Sequence, residues 1–281
     1  MKLAKWLMLD GNFFLASEPI LSHCNNGILY GDFFSFEIVG NSSKLFFPEL
    51  FYENLIERCK IFNFDIEKIP SQLIFEQNIY FLLQKNRIYK SFLGIVTVFK
   101  NSRNLTSILI STEVMETEFY SLNKDGLIVD VLLDKPINKF LINTKEFQFL
   151  NYQKNFENYL SDEIEYLLID DNSNIISTID SNVFFVKNND IFLPNKILEN
   201  NIKIITDFLI DYIKKIGFKV ENRDIRYSEL DFVDEIFLVN IKYGIRWVSN
   251  YKRTKYYYHR VSKKIFDGFN KLLKDSIQNE R

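Results

Sequence analysis

Residues 162–194 read "DEIEYLLIDDNSNIISTIDSNVFFVKNNDIFLP", and the fold turns on how that stretch is parsed. Ile164–Ser177 reads as a strand, an Asp-Asn turn and a second strand. Aspartate and asparagine bond their own backbone and tolerate left-handed conformations, so they punctuate apolar runs as turns. Asn182–Pro194 repeats the shape, "NVFFV", then "KNN", then "DIFLP".

Working outward, "EIFLVN" (235–240) and "GIRWV" (244–248) read as further strands. "NIKIITDFLIDYIKKIGF" (201–218) reads as a helix with Ile205, Phe208, Leu209 and Tyr212 on its apolar face, and "RVSKKIFDGFNKLL" (260–273) as a last helix. Upstream, "LIVDVLL" (127–133) is a strand, and a helix is expected from about Gln153 to Leu160. In the first half, "WLML" and "NFFLAS" flank Asp10-Gly11, a hairpin signal. "FSFEIV" and "KLFF" follow, joined by a polar "GNSS". Two helices open with Pro48 and Pro70, the first burying Phe51, Leu55, Cys59 and Phe62 by its spacing. "SFLGIVTVF" and "SILIST" are strands rich in β-branched residues. "EVMETEFYSLNKDG" (113–126) keeps no period and reads as a linker. The order implies two α+β domains, 1–115 and 125–281, joined through 116–124.

Composition narrows the function classes. With 47% hydrophobic residues the chain has ample material to bury, so it is not globally disordered. A formal charge of -2, from 35 basic and 37 acidic side chains, gives no overall attraction to nucleic acid or anionic lipid. The apolar N-terminal run stops at Asp10-Gly11, too short to span a membrane and without a cleavage site. Cys24 and Cys59 match no zinc or redox spacing, which suits buried thiols in a cytoplasmic protein. No Gly-rich phosphate loop, metalloprotease helix or Gly-x-Ser-x-Gly elbow is present, and no metal is expected.

Three stretches together resemble the class IV aminotransferase family, which includes branched-chain and D-amino acid aminotransferases and 4-amino-4-deoxychorismate lyase. "NNGILYGD" (25–32) is similar to its N-terminal Arg-Gly-Phe-x-Tyr-Gly-Asp segment. Residues 162–194 resemble its run from an acidic pair to Ser-Asn-hydrophobic-Phe, and "VDEIFLVNIKYGIRWV" (233–248) its Asp-Glu strand and Gly-Ile-x-x-Val. The resemblance implies the two-domain α+β architecture of fold type IV, an N-terminal mixed-sheet domain and a barrel-like C-terminal domain. It also implies a homodimer and pyridoxal phosphate between the domains.

That chemistry needs a lysine Schiff base, a cationic cup for the phosphate and a carboxylate facing the pyridine nitrogen. Carried onto this sequence, the lysine position is Gln148, in "KEFQFLNYQK" (145–154). The phosphate-binding arginine falls on Asn54, the pyridine-facing glutamate on Ser177, and the Gly-Ile-Thr phosphate turn on Asn200, Asn201 and Ile202. Lys145 lies three residues before Gln148, on the other face of a strand, and Lys154 six residues after it. Scarce alanine with abundant Lys, Asn, Ile and Phe points to AT-rich coding, which favours keeping Lys and Glu, so these losses run against the drift. No cofactor is expected. Pyridoxal phosphate returns only if the register is different.

The same template places Tyr30 near the substrate and Phe33, Phe36 and Ile95 where small or charged residues are usual. With Gln148 and Ser177 they define a candidate pocket for an apolar or aromatic small molecule, weighed evenly against a cavity packed shut by phenylalanine. The expected function is therefore a diverged, cofactor-free pseudoenzyme that binds such a molecule. A structural or partner-binding dimer and a working aminotransferase or lyase are the alternatives. His23 and His259 read as surface or packing residues, and "YKRTKYYYHRVSKK" (251–264) as a solvated strand leading into a helix rather than a nucleic-acid surface.

Overall fold

Asp10 and Gly11 sit at φ 49° and 78°, both left-handed, and close the first hairpin as a two-residue turn whose twist matches its strands. The computed structural model describes residues 4–115, 120–132, 164–178, 180–195 and 202–278. It begins with β1 (Trp6–Leu9) and β2 (Asn12–Leu15), paired antiparallel with Leu9 opposite Asn12. There follow α1 (Asn26–Tyr30), β3 (Phe33–Asn41), β4 (Lys44–Leu45), α2 (Pro48–Ile61), α3 (Gln72–Asn86), β5 (Phe92–Lys100) and β6 (Thr106–Val114). The chain divides into two compact units, Met1–Phe119 with Asp275–Arg281, and Tyr120–Lys274.

The first unit carries six strands in the order β2-β1-β6-β5-β3-β4. Every pair is antiparallel, where a mixed sheet is expected. The hairpins β1–β2, β3–β4 and β5–β6 must be antiparallel, β1–β6 and β3–β5 are so as well, and the parallel pairs lie in the second unit. Side chains alternate along a strand, so the paired positions Phe34–Val98–Ile108, Phe36–Val96–Ile110 and Ile38–Gly94–Thr112 share one face. Helices α2 and α3 pack on that face. The Phe34 ring lies 5.6 Å from Phe62 and 5.4 Å from Phe64, and Tyr52 of α2 lies 6.1 Å from Phe75 of α3. Phe51, Leu55 and Cys59 are buried as their spacing predicts, while Phe62, just past the helix, is 38% exposed. Each fully buried phenylalanine contributes about 1.5–3 kcal/mol relative to leaving it in water. Burial pushes the Cys59 thiol up to about 12, with Lys100 opposing. Cys24, by contrast, is exposed, and neither cysteine is in a disulfide.

The second unit comprises β7 (Leu127–Val131), β8 (Ile164–Ile169), β9 (Ile175–Thr178), β10 (Asn182–Lys187), β11 (Asp190–Pro194), α4 (Ile202–Lys215), β12 (Val220–Arg223), β13 (Glu235–Asn240), β14 (Gly244–Tyr251), β15 (Thr254–Lys255) and α5 (Arg260–Gln278) as far as Lys274. Its sheet runs β12-β11-β10-β13-β14-β7-β8-β9, with β15 beside β14, and curls so that β9 comes back beside β10. The turns work as their residues suggest. Asp170, buried, accepts from the backbone N–H groups of Asn172 and Asn174, both at 2.9 Å. Asn188 and Asn189, at φ 52° and 67°, close β10–β11. Inward-facing Val129, Leu167, Val183, Leu238 and Val248 fill the curl. On the outer face Phe184 stacks on Phe237 at 4.8 Å, and Phe208 of α4 meets Phe269 of α5 at 6.0 Å. The helix expected near Gln153–Leu160 lies outside the described residues.

Tyr120–Gly126, inside the expected linker, belongs to the second unit. Asn123 explains why: its Oδ1 accepts from Trp247 N at 2.9 Å and its Nδ2 donates to Trp247 O at 2.9 Å. The side-chain amide thus satisfies the backbone groups of Trp247 as a paired strand would. The Tyr120 hydroxyl donates to Ile241 O at 2.5 Å and its ring stacks on Phe269. Among the described residues no helix is long and apolar enough to cross a membrane.

Candidate functional site

The site candidates of the first unit do not converge. Phe36 shares the helix-covered face with Phe34 and is 1% exposed, so it is a core residue. Phe33 pairs with Phe99, and Ile95 with Glu37, on the opposite face, where Ser35 and Thr97 share a 2.9 Å hydroxyl contact. The α1 helix packs over this second face, since a Cβ on Gly27 would lie 3.0 Å from Phe99 Cβ. Tyr30, at the end of α1, is 76% exposed. The strand period that puts Phe36 inside necessarily turns Phe33 away from it. Phe33 and Ile95 therefore share a face that Phe36 leaves, and Tyr30 stands exposed at the end of α1.

Asn54 lies half-buried on α2. Its Oδ1 accepts from Arg58 Nε at 3.2 Å, one turn along the helix, and its Nδ2 is buried without a partner among the described residues. The Arg58 guanidinium rests 5.9 Å from the Phe34 ring centroid. In the second unit Ser177 is fully buried. Its hydroxyl donates to Thr178 O at 2.7 Å, and it stands opposite Leu168 on β8. Gln148, Asn200 and Asn201 lie outside the described residues, as do Lys145 and Lys154. Ile202 begins α4.

At one end of the curled sheet sits a polar cluster that the sequence reading passed over. Arg246 pairs with Leu238 and Glu165 with Val129, both core partners, so both charged side chains point into the curl. Arg246 Nη2 donates to Glu165 at 2.6 Å and to Ser181 Oγ at 3.2 Å, with Asp180 at 3.9 Å. Tyr243 stacks beneath the guanidinium at 4.6 Å, and Asn240 Nδ2 donates to Ser181 Oγ at 3.2 Å. The Glu165 and Arg246 side chains are only 17% and 13% exposed. Burial pushes the Glu165 carboxyl up, Asp180 pushes the same way, and Arg246 and Thr178 pull it down without cancelling the rise. A carboxyl so placed can hold its proton to higher pH than an ordinary glutamate. The legible signal is a charge at an inward position of an apolar strand, as in "IEYLLI" and "GIRWV".

Both histidines are accounted for by packing. His259 stacks on Trp247 at 4.2 Å, and exposed His23 contacts Cys24 Sγ at 3.1 Å. In the basic, aromatic stretch 251–264, Arg260 covers Tyr258 and Lys252 covers Tyr251. Among the described residues no group of three or more His, Cys, Asp or Glu side chains could hold a metal ion.

The antiparallel first sheet, the curled second sheet and the Asp234-Glu235 strand feeding the last helix point to one family. The model for amino-transferase class IV matches residues 100–251, more than half of the chain, and the chain belongs to that family. No curated protein matches the sequence. Among solved structures, a branched-chain amino acid aminotransferase from Escherichia coli superposes with a TM-score of 0.82 at 17% identity, covering 96% of this chain and 94% of that one. That from the archaeon Thermoproteus uzoniensis, with norvaline, gives 0.80 at 14%, covering 96% and 95%. The enzyme from Thermobaculum terrenum in its PLP form gives 0.77 at 16%, covering 97% and 95%. At such identities the likeness establishes the shared fold.

Proposed function

We propose that this class IV chain does not bind pyridoxal phosphate covalently and serves instead as a binding protein for an apolar or aromatic small molecule. The observation that carries the reading is Ser177. It stands at the position carried over from the pyridine-facing glutamate, and it is fully buried with its hydroxyl spent on the neighbouring carbonyl. It offers the ring nitrogen no charge, and without that charge the protonated pyridine loses its role as an electron sink. Asn54 offers the phosphate an amide in place of a cation. An arginine–phosphate contact is worth roughly 1.5–3 kcal/mol. No lysine whose side chain is described is buried, and Gln148 has no amine. The residues present do not suit the cofactor.

A working aminotransferase or lyase is the second reading, favoured by a likeness that spans 96% of the chain. Absorbance separates the two. Purified protein titrated with pyridoxal phosphate should show no aldimine band that survives dialysis. A persistent yellow band that responds to an added amino acid would return the second reading to first place.

A further inference from the structure

A second ligand site stands apart from the family positions. In the first unit, α3, the short turn Ile66–Lys68 and the ends of β1 and β6 enclose a cavity of about 560 Å³. We propose that it binds a small arylalkyl amine, with the apolar body inside and the ammonium at the rim.

The size suits a small organic molecule. The floor is core side chain, Met8 and Ile110 at 2% exposure and Phe75 at 0%, and the walls rise to Ile74 and Leu105, which are 48% and 46% exposed. Those two aliphatic side chains stand in water at the mouth, where a bound ring would cover them. Most of the polar lining is already spent. Asn101 Oδ1 accepts from Arg103 N and Leu105 N, its Nδ2 donates to Ser107, and Thr106 Oγ1 accepts from Asp65 N. Asn78 differs. It lies three and four residues after Phe75 and Ile74, on the same side of α3, and is half-buried. No hydrogen bond to its amide occurs among the described residues, which leaves a donor and an acceptor facing the cavity.

Charge selects the ligand's polar end. Asp10, Glu67 and Lys68 line the cavity; one Asp10 oxygen accepts from Ile108 N at 2.7 Å, and the two carboxylates still outnumber the one ammonium. A cation is therefore favoured there and a carboxylate-bearing molecule disfavoured. The cavity lies within the first unit, on the helix side of its sheet and opposite the face bearing Phe33 and Ile95. Binding at this cavity is independent of pyridoxal phosphate.

The test titrates phenethylamine, with 3-phenylpropionate as its carboxylate counterpart, into the full chain by ligand-observed NMR. It is repeated in Asn78→Leu and Ile74→Trp, with circular dichroism confirming that both variants fold. Phenethylamine should bind more tightly than the carboxylate, weaken about tenfold in Asn78→Leu and be blocked by the indole in Ile74→Trp. Equal binding of the two probes, unchanged binding in both variants, or no binding at millimolar concentration to the folded parent would each overturn the proposal. A pyridoxal phosphate titration on the same samples reports separately on the cofactor.

Discussion

Replacing Glu235 with alanine should cost the second unit about 4 kcal/mol. Glu235 is 5% exposed at the start of β13, and its carboxylate accepts from Val261 N at 2.9 Å, Ser262 N at 3.0 Å and Ser262 Oγ at 3.0 Å. Those backbone donors belong to the first turn of α5, where no carbonyl of the helix can reach them. Val261 and Ser262 are themselves buried, so water cannot replace the lost acceptor. Two buried N–H groups left unsatisfied cost about 1–3 kcal/mol each, and the lost charge at the helix N-terminus adds roughly 0.3–1 kcal/mol. The hydroxyl of Ser262 keeps a second acceptor in His259 O at 3.1 Å, so its share is small. Glu235→Gln retains one acceptor and should lose about half as much. For a unit of this size each kcal/mol moves the melting midpoint by about 2–4 °C, so alanine should lower it by roughly 8–16 °C. Urea unfolding followed by far-UV circular dichroism reads the difference directly. A Glu235→Ala variant within about 1 kcal/mol of the parent would refute this account of how α5 is anchored.

Arg246→Ala strips Glu165 of the cation 2.6 Å away and should destabilise by about 3 kcal/mol in the same assay, because a buried charge loses its partner. Glu165 is held above the ordinary carboxylate range, so the folded state binds its proton more tightly. Its stabilising contribution is present at acidic pH and is lost as pH rises through the folded value. Chemical denaturation across pH should therefore show Glu165→Gln gaining on the parent from about pH 4 upward. Gly244→Ala should cost about 2–4 kcal/mol, since φ there is 68° and a Cβ would press into the Tyr120 ring at 2.5–2.9 Å. The homodimer implied by the resemblance predicts a light-scattering mass twice the 33.5 kDa of the chain at micromolar concentration, and a monomer alone would remove it.

The elements that sequence announces best are those whose signal is local. Asp10-Gly11 and Asn188-Asn189 close hairpins because their own backbone preferences demand it. Pro48 opens α2 for a reason contained in one residue. What escaped depends on partners distant in the chain. Tyr120–Gly126 looks aperiodic, yet it is held by hydrogen bonds between Asn123 and Trp247. A scan for periodicity cannot see a side-chain amide standing in for a strand. Phe36 and Phe33 were grouped by counting along a template, whereas the alternation of β3 alone separates them. Arg246 and Glu165 lie 81 residues apart, and only the curl of the sheet makes them a pair. The short α1 (Asn26–Tyr30) leaves no room for a periodic pattern, so its helix carries no signal in the sequence.

The central claim, that the chain forms no Schiff base with pyridoxal phosphate, is tested most directly by borohydride reduction. Protein incubated with one equivalent of pyridoxal phosphate, reduced and weighed intact should return the unmodified mass. Gln148→Lys treated the same way should still label weakly, because Asn54 and Ser177 would remain. A stoichiometric phosphopyridoxyl adduct on the parent chain, mapped to Lys145, Lys154 or any other single lysine, would contradict the account.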